Sequence, residues 1–281
     1  LEELRLDLGA DQRMLAAYLP KLMYNSQYAK RLPIGSKEVL ENFKHQELID
    51  FYKTWYRPNL MAIVVVGDVD VAEMEQKIKD HFGGYKNPKD EKPRTEFTVP
   101  DHQETYVAIE KDKEASFSQV ELIYKTKGDA KRDVTMADYR NTLVINLFNT
   151  MLNNRLQEIS NNPNPPFNYG FSYYGSSWSR NKNGFQCQAM TSSENQLKGF
   201  TTLVVENERV LRYGFTSGEL ERAKKETLAR LQAMLDNKNK TESNRWVYEL
   251  VNNFLQGEVI PGIEAELAFH SVLYEIGRAH V

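Results

Sequence analysis

The chain has 281 residues, a length typical of two domains, and its 41% hydrophobic content is enough for ordinary cores, which excludes a disordered protein. Lys and Arg (36) nearly balance Asp and Glu (39) without forming a basic run, so the composition excludes a nucleic-acid-binding surface. Cys187 is the only cysteine, which excludes a disulfide framework and a cysteine-based zinc site, and no apolar run is long enough to span a membrane.

The two ends of the sequence do not read as the ends of a domain. Residues Leu1–Leu6 resemble the interior of a helix, and no N-cap precedes them, so we expect the first domain to lack its N-terminal part. Residues 275–281 (EIGRAHV) resemble a translated sequencing adapter. We therefore expect this heptapeptide to be an artefact that lies outside the fold.

Apolar residues at helical spacing predict a helix over residues 10–30, and a second helix after the break at Pro33 and Gly35, capped by Ser36. The continuous apolar run Met61–Val66 is rich in β-branched residues and predicts a buried strand.

A further helix follows this strand. Asp70 and Glu73 form a capping-box pattern at its start. Its spacing predicts that four apolar side chains are buried: Val71, Met74, Ile78 and Phe82. Residues 86–101 are charged, contain prolines and have no periodicity, which is typical of a linker.

The second domain is predicted to contain strands, then a long helix, then two further strands, then helices. The loop Asn161–Pro166 carries three prolines, which leaves no room for regular pairing. The predicted strands are Thr105–Ile109, Gln119–Lys125, Tyr169–Ser177 and Gly184–Thr191, and the predicted helices are 135–159, 195–213, 220–235 and a last one that carries Trp246, Leu250, Phe254 and Leu255.

This order of elements predicts an α+β protein with two consecutive two-layer domains, each with helices on one face of a mainly antiparallel sheet. We place the first domain and its linker in residues 1–94 and the second domain, incomplete at its end, in residues 95–274.

No self-sufficient catalytic motif is present in the sequence. It lacks a G-x-S-x-G motif, a P-loop, a G-x-G-x-x-G motif after a strand and an H-E-x-x-H motif. The histidines are scattered, which favours surface residues over metal ligands: His45, His81, His102, His270 and His280. The remaining candidate is the pair Glu2 and Glu3, although two carboxylates on a helix are typical of a solvated face.

Several stretches change that interpretation, because together they resemble the insulinase/pitrilysin family of zinc peptidases, or inverzincins, and in particular its bacterial pitrilysin-like members. In the first domain these stretches are Glu2–Arg5 with Gln12–Met14 (E-E-x-R…R), Tyr28–Gly35 (Y-x-x-R-x-x-I-G) and Leu48–Asp70 (L-x-x-F-Y-x-x-W-Y-x-P…V-V-V-G-D). In the second domain they are Pro166–Phe167, Glu206–Arg209 and Gly214–Lys224, the last matching G-F-T-x-x-E-L-x-r-A-K.

The resemblance implies a zinc site that is only partly present here. Two histidines of an H-x-x-E-H helix and a glutamate of a later helix bind zinc in this family, and the glutamate corresponds to Glu3, with Glu2 as the alternative. Arg5 and Arg13 are candidates for supporting that helix. The H-x-x-E-H motif and its general base are absent from the sequence, so we expect no catalytic residue in this chain and no zinc bound by it alone.

The expected function is therefore that of a part of a zinc metalloendopeptidase that hydrolyses unfolded peptides, inactive by itself. The alternatives are a non-catalytic peptide-binding or structural subunit of the same family, or an unrelated α/β binding module. The resemblance also implies that a second half of the same protein, or a partner subunit, closes a chamber around the peptide. It suggests a periplasmic or cell-envelope location.

Overall fold

The computed structural model describes residues 9–128 and 135–276. The region before residue 118 carries helices α1 (Ala10–Leu22), α2 (Lys37–Asn42), α3 (His45–Trp55) and α4 (Val71–Phe82), with short 3-10 turns at Gln27–Ala29 and Pro58–Leu60. The second region contains β1 (Ser118–Lys127), α5 (Met136–Ser160), β2 (Tyr169–Ser179), β3 (Lys182–Thr191), α6 (Gln196–Tyr213), α7 (Ser217–Asp236), α8 (Ser243–Gln256) and α9 (Ile263–Ile276), with a 3-10 turn at Lys238–Lys240.

The sheet has three antiparallel strands in the order β1-β3-β2. Its register aligns Leu122, Cys187 and Ser172, and residues of this face pack against α5 and α6. The core between the sheet and these helices contains Leu156, Phe167, Cys187, Ala189 and Leu203. Helices therefore cover one face of a small antiparallel sheet, which confirms the predicted fold class.

A second core lies between α5, α7 and α9. It contains Leu143, Leu147, Met151, Ala223, Leu273 and Tyr274. Helix α5 contributes to both cores, because its first turns face α7 and α9 while Leu156, near its end, is completely buried under the sheet. The predicted helix 135–159 matches α5, and the structure shows Thr135 as its N-cap, which accepts a hydrogen bond from the backbone N–H of Asp138.

The free edge of β2 is covered by two asparagine side chains of α5. Asn149 accepts a hydrogen bond from the N–H of Tyr174 (2.8 Å) and donates one to its carbonyl (3.1 Å). Asn153 makes the same pair of bonds with Ser172, at 2.9 and 2.8 Å. Each side-chain amide thus makes the two hydrogen bonds that a neighbouring strand would make with this residue. This prevents pairing of the edge with another chain.

Three sequence predictions for the second region are wrong in detail. Residues Thr105–Ile109 do not form a strand, because they pair with none of the strands among the described residues. Instead, Lys21 of α1 donates a hydrogen bond to the carbonyl of Val107 (2.8 Å). Helix α9 was not predicted as a separate element, although Gly257 (φ 71°) and Gly262 (φ 83°) mark the break before it. The histidine expected at the surface, His270, is buried.

The first region differs more strongly from expectation. The predicted helix 10–30 ends at Leu22, since Asn25 adopts a left-handed conformation with φ of 54°. The strand predicted over Met61–Val66 is not formed, because no strand lies beside it among the described residues. Helix α4 is present with Asp70 as its N-cap, but its apolar stripe is not buried, as Val71 is 76% and Phe82 41% exposed.

Residues 86–101 contain no helix or strand, yet several contacts fix them in place. Arg57 is buried and donates a hydrogen bond to the carbonyl of Lys92 (2.9 Å), and Ser26 donates one to the carbonyl of Thr98 (2.8 Å). Val99 is 2% exposed and packs in a small cluster with α1, and Asp101 pairs with the buried Lys182 of β3. The segment therefore ties the first region to the sheet.

We expect Leu156→Ala to destabilise the chain by about 2–5 kcal/mol, because it removes a completely buried side chain from the contact of α5 with the sheet. The matched control is Leu211→Ala in α6, where the side chain is 81% exposed and the change should stay within about 0.5 kcal/mol. Urea unfolding followed by circular dichroism gives both values. Equal destabilisation by the two variants would contradict the assignment of the core.

Candidate functional site

Only one of the site residues predicted from the sequence lies within the described structure. Glu2, Glu3 and Arg5 lie outside the described residues, whereas Arg13 lies on α1. Helix α1 begins at Ala10, and its N-cap, Gly9, has an extended backbone (φ −60°, ψ 166°). The helix of Arg13 therefore does not continue through Gly9 towards Glu3.

Arg13 binds two carboxylates of the segment that precedes β1. Its Nε and Nη2 donate to the two oxygens of Asp112 at 2.7 and 2.8 Å, and Nη2 also donates to Glu114 at 2.7 Å. The hydrogen bonds from Arg13 hold the pKa of Asp112 down at about 2. This paired geometry is the one that fixes a guanidinium most strictly, so Arg13 determines where the first turns of α1 lie.

Other contacts fix the remainder of α1. Lys125 of β1 donates to the carbonyl of Leu22 at 2.7 Å, at the last residue of the helix. On the inner side, Leu19 and Met23 are each 6% exposed and pack with Val99. Because these contacts are made along the whole helix, the described element nearest in sequence to Glu3 is attached to the sheet of the second region.

The described residues do not form a metal site by themselves. Within residues 9–128 and 135–276, no group of three or more His, Cys, Asp or Glu side chains is close enough to hold a metal ion. The buried His270 serves another purpose: its Nδ1 lies 2.7 Å from the carbonyl of Glu266 and 3.4 Å from the hydroxyl of Tyr139, and burial lowers its pKa. These contacts join α9 to α5.

The family-like run Gly214–Lys224 lies around an arginine that the sequence analysis did not single out. Arg155 of α5 donates to both oxygens of Glu219, at 2.5 and 2.9 Å, and to the carbonyl of Gly214 at 3.1 Å. Its guanidinium carbon lies 4.7 Å from the ring centre of Phe215. We name these residues, together with Glu206, the Arg155 cluster.

Each member of the Arg155 cluster has a structural reason for its residue type. Glu206 of α6 is 7% exposed and lies 4.0 Å from Arg155. Gly214 has φ of 65° and ψ of −149°, a conformation that only glycine adopts without strain. Thr216 caps α7 together with Glu219. The cluster joins α5, α6 and α7 through one buried charge.

The sequence contained a signal for Arg155. It lies four residues after Met151 and three after Leu152, on the apolar stripe of the predicted helix, so its charge requires a partner whose identity the spacing does not give. Lys224, at the other end of the run, is also buried and donates to the carbonyl of Tyr274 in α9 (3.0 Å). The second-region motif thus secures helix packing, and none of its described contacts resembles a nucleophile with a general base.

The family of the chain follows from comparison with known proteins. A family model described as the Peptidase M16 inactive domain matches residues 42–227, from the end of α2 into α7. The chain belongs to the M16 peptidase family. Insulinase-like peptidases are the family that the sequence motifs resemble, so the recognition from sequence is confirmed.

One curated relative and two solved structures are similar to this chain. A protein named zinc protease PQQL-like from Arabidopsis thaliana is 29% identical over 275 residues, which are 97% of this chain and 25% of that protein. The first half of the periplasmic protease PqqL from Escherichia coli has a TM-score of 0.82 at 22% identity, over 98% of this chain and 58% of that one. The ferredoxin protease FusC, solved with Arabidopsis ferredoxin, has a TM-score of 0.74 at 21% identity.

The chain thus spans about a quarter of the plant relative. Within the part that the structure describes, none of the helices is both long and apolar enough to cross a membrane.

We expect Glu219→Gln to destabilise the chain at neutral pH and to lose this effect in acid. The hydrogen bonds from Arg155 lower the pKa of Glu219 to about 2 in the folded chain, whereas the unfolded value is roughly 4.3. The stabilisation is therefore fully present above about pH 4.5 and disappears as the pH falls towards 2.

The measurement is urea unfolding of both proteins at several pH values across that window. Glu75→Gln is the control, because the exposed Glu75 pairs only with the neighbouring Lys79 on α4 and should change stability little at any pH. A difference between wild type and Glu219→Gln that stays constant with pH would show that the Arg155 pair does not set this titration.

Proposed function

We propose that the parent of this M16-family chain is a zinc-dependent endopeptidase that hydrolyses unfolded protein segments, and that this chain holds the third zinc ligand in position. The observation that supports the proposal most directly is the rigid attachment of α1, the described element that follows Glu3, to Asp112 and to β1. A ligand can orient a metal only if its own backbone is held in place.

In the parent, Glu3 is our proposed zinc ligand, with Glu2 as the alternative, because a carboxylate joins two histidines in metallopeptidase sites. Zinc, when bound, activates water for attack on a peptide bond. Within this chain, the contribution of Arg13 is positional: its bonds to Asp112 and Glu114 fix α1, which begins directly after Gly9. Arg5 remains a candidate for a similar contact.

A non-catalytic subunit of the same family is the second candidate function. The specific observation in its favour is that the matched family model is that of the inactive domain. A subunit without metal has no need of a carboxylate at position 3, so the presence of Glu3 favours the catalytic parent. The two candidates differ in the histidines and general base expected outside this chain.

We further infer that the substrates are proteins or unfolded peptides and that a second half of the parent, or a partner subunit, closes the chamber around them. The support comes from FusC, named a ferredoxin protease and solved with a ferredoxin, and from PqqL, which was solved both as a first half and as the whole protein. A periplasmic location is proposed by the same analogy with the E. coli protein.

We expect this chain alone to show no chelator-sensitive cleavage of an unstructured fluorogenic peptide in the presence of zinc. The described residues offer no grouping of metal ligands, and one glutamate supplies a single ligand of about four. The intact parent, assayed in parallel, should cleave the peptide and lose activity with a chelator. Chelator-sensitive cleavage by this chain would overturn the division of the site between this chain and the rest of the parent.

The residue assignment is tested in the intact parent by comparing Glu3→Gln with Glu2→Gln. Glu3→Gln keeps the size of the side chain but removes the anionic oxygen, so the bound zinc and the peptidase activity should fall together by at least about 10–100-fold. Glu2→Gln is the matched control, because neighbouring residues on a helix point about 100° apart and cannot share one ligand position. Loss of zinc in Glu2→Gln alone would assign the ligand to Glu2.

A further inference from the structure

The sheet of the second region has a second face, which α5 and α6 do not cover. In the strand register, Phe171, Gln188 and Glu121 form one row across this face. Tyr173 and Gln186 lie side by side in the next row, and none of these five residues belongs to a hydrophobic core of the described structure. We name this surface the outer face, and its central residues are Tyr169, Phe171 and Tyr173 of β2, Gln186 and Gln188 of β3, and Glu121 of β1.

Strand β2 gives the outer face a row of aromatic rings. Tyr169, Phe171 and Tyr173 occupy alternate positions of the strand, and Tyr169 and Tyr173 are 46% and 39% exposed. Alternate side chains of a strand lie about 6.6 Å apart, which is also the repeat of alternate residues in an extended peptide. An extended chain beside this row therefore brings successive side chains to successive rings, which supply apolar contact area with little dependence on sequence.

Strand β3 adds amide groups between the rings and Glu121. The side chain of Gln188 accepts a hydrogen bond from the amide of Gln119 at 3.2 Å, and its own amide nitrogen donates to none of the described residues. A glutamine amide can both donate to and accept from the backbone of a peptide. The outer face thus combines apolar area with the hydrogen-bonding groups that an extended chain requires.

Glu121 is half-buried and has no cationic partner among the described residues. Its Oε1 accepts a hydrogen bond from Gln186, whereas Oε2 accepts none within the described ranges and is still reached by solvent. Burial raises the pKa of Glu121, and the bond from Gln186 opposes that rise. The lysines of the same face, Lys125 and Lys182, make their contacts with the first region instead. A carboxylate in this state attracts a cation more strongly than one in open water does.

We propose that the outer face binds an extended segment of the substrate polypeptide and selects a segment that carries Lys or Arg opposite Glu121. Neighbouring strands lie about 4.8 Å apart, so a Lys or Arg side chain of a peptide over β3 is long enough to reach Glu121 on one side while other side chains contact the rings of β2 on the other. The inference rests on the proposed function, since it takes the occupant to be an unfolded substrate. It concerns binding and is independent of the zinc chemistry.

Fluorescence anisotropy with two labelled, unstructured peptides tests the proposal. One peptide contains Lys and Arg, and in the other Gln replaces them. Both are titrated with this chain and with the intact parent in the presence of a chelator, so that binding is measured without hydrolysis. We expect the basic peptide to bind about 10-fold more tightly to both proteins, because a charge-assisted hydrogen bond contributes at least this much. Glu121→Gln should abolish the preference, and Glu226→Gln, at an exposed glutamate of α7, should leave it unchanged.

A reversal of charge gives a gain that misfolding cannot produce. Glu121→Lys should shift the preference to a peptide with Glu in place of Lys and Arg. Equal binding of the basic and neutral peptides by the wild-type parent would overturn the proposal. A Glu121→Gln parent that keeps the preference but melts at a lower temperature would also overturn it and assign Glu121 to an ion pair within the parent. An intact preference in a parent that cleaves neither peptide would support this inference and count against the proposed function alone.

Discussion

Most of the described structure depends on the placement of the single helix α5. Its apolar residues enter two separate cores, at Leu147 and Met151 on one side and at Leu156 on the other. Between them, Asn149 and Asn153 cover the free edge of β2 through backbone-like hydrogen bonds. Helix α5 therefore packs against the sheet, bonds to the edge of β2 and packs against other helices at the same time. A shift of its axis would weaken all of these contacts.

Arg155 adds a polar requirement to this packing. Its guanidinium is 13% exposed and connects α5 to Glu219 at the start of α7 and to Glu206 on α6. A buried charge of this kind is destabilising unless it is paired, so the pair selects one relative placement of the three helices. The family-like motif Gly214–Lys224 contains residues that this constraint requires, and it lies within residues 42–227, which the model of the M16 inactive domain matches.

Many apolar side chains of the first region are exposed rather than packed in a core. Its described contacts with the second region include the hydrogen bond from Lys125 to the carbonyl of Leu22 and the pair of Asp101 with Lys182, whereas the contacts of Arg13 and Arg57 lie within the first region. These contacts set the position of α1 but provide little core.

The sequence predicted the second region well because its signals were local. The helical periodicity of α5 and α7 and the strand patterns of β2 and β3 each depend on neighbouring residues, and α5, α7 and the hairpin lie close to their predicted bounds. Arg155 was not predicted as the centre of a cluster, because its partners are about 60 residues away and periodicity carries no information on such pairs.

The failures in the first region have a different cause. The run Met61–Val66 and the stripe of α4 have the pattern of buried elements, and their prediction assumed a covering layer that the described residues do not contain. The roles assigned to Glu3, Glu2 and Arg5 remain predictions, since these residues lie outside the described structure. An apolar pattern in the sequence therefore indicates that a segment favours burial, but it does not indicate which residues cover the segment.

The most direct test of the account is the zinc content of the intact parent and of this chain, measured by plasma mass spectrometry after gel filtration from a zinc-containing buffer. The account predicts about one zinc ion per parent polypeptide, removable by a chelator, and only background zinc on this chain, since one carboxylate cannot hold the ion alone. Stoichiometric zinc on this chain, or a parent that binds none, would contradict it.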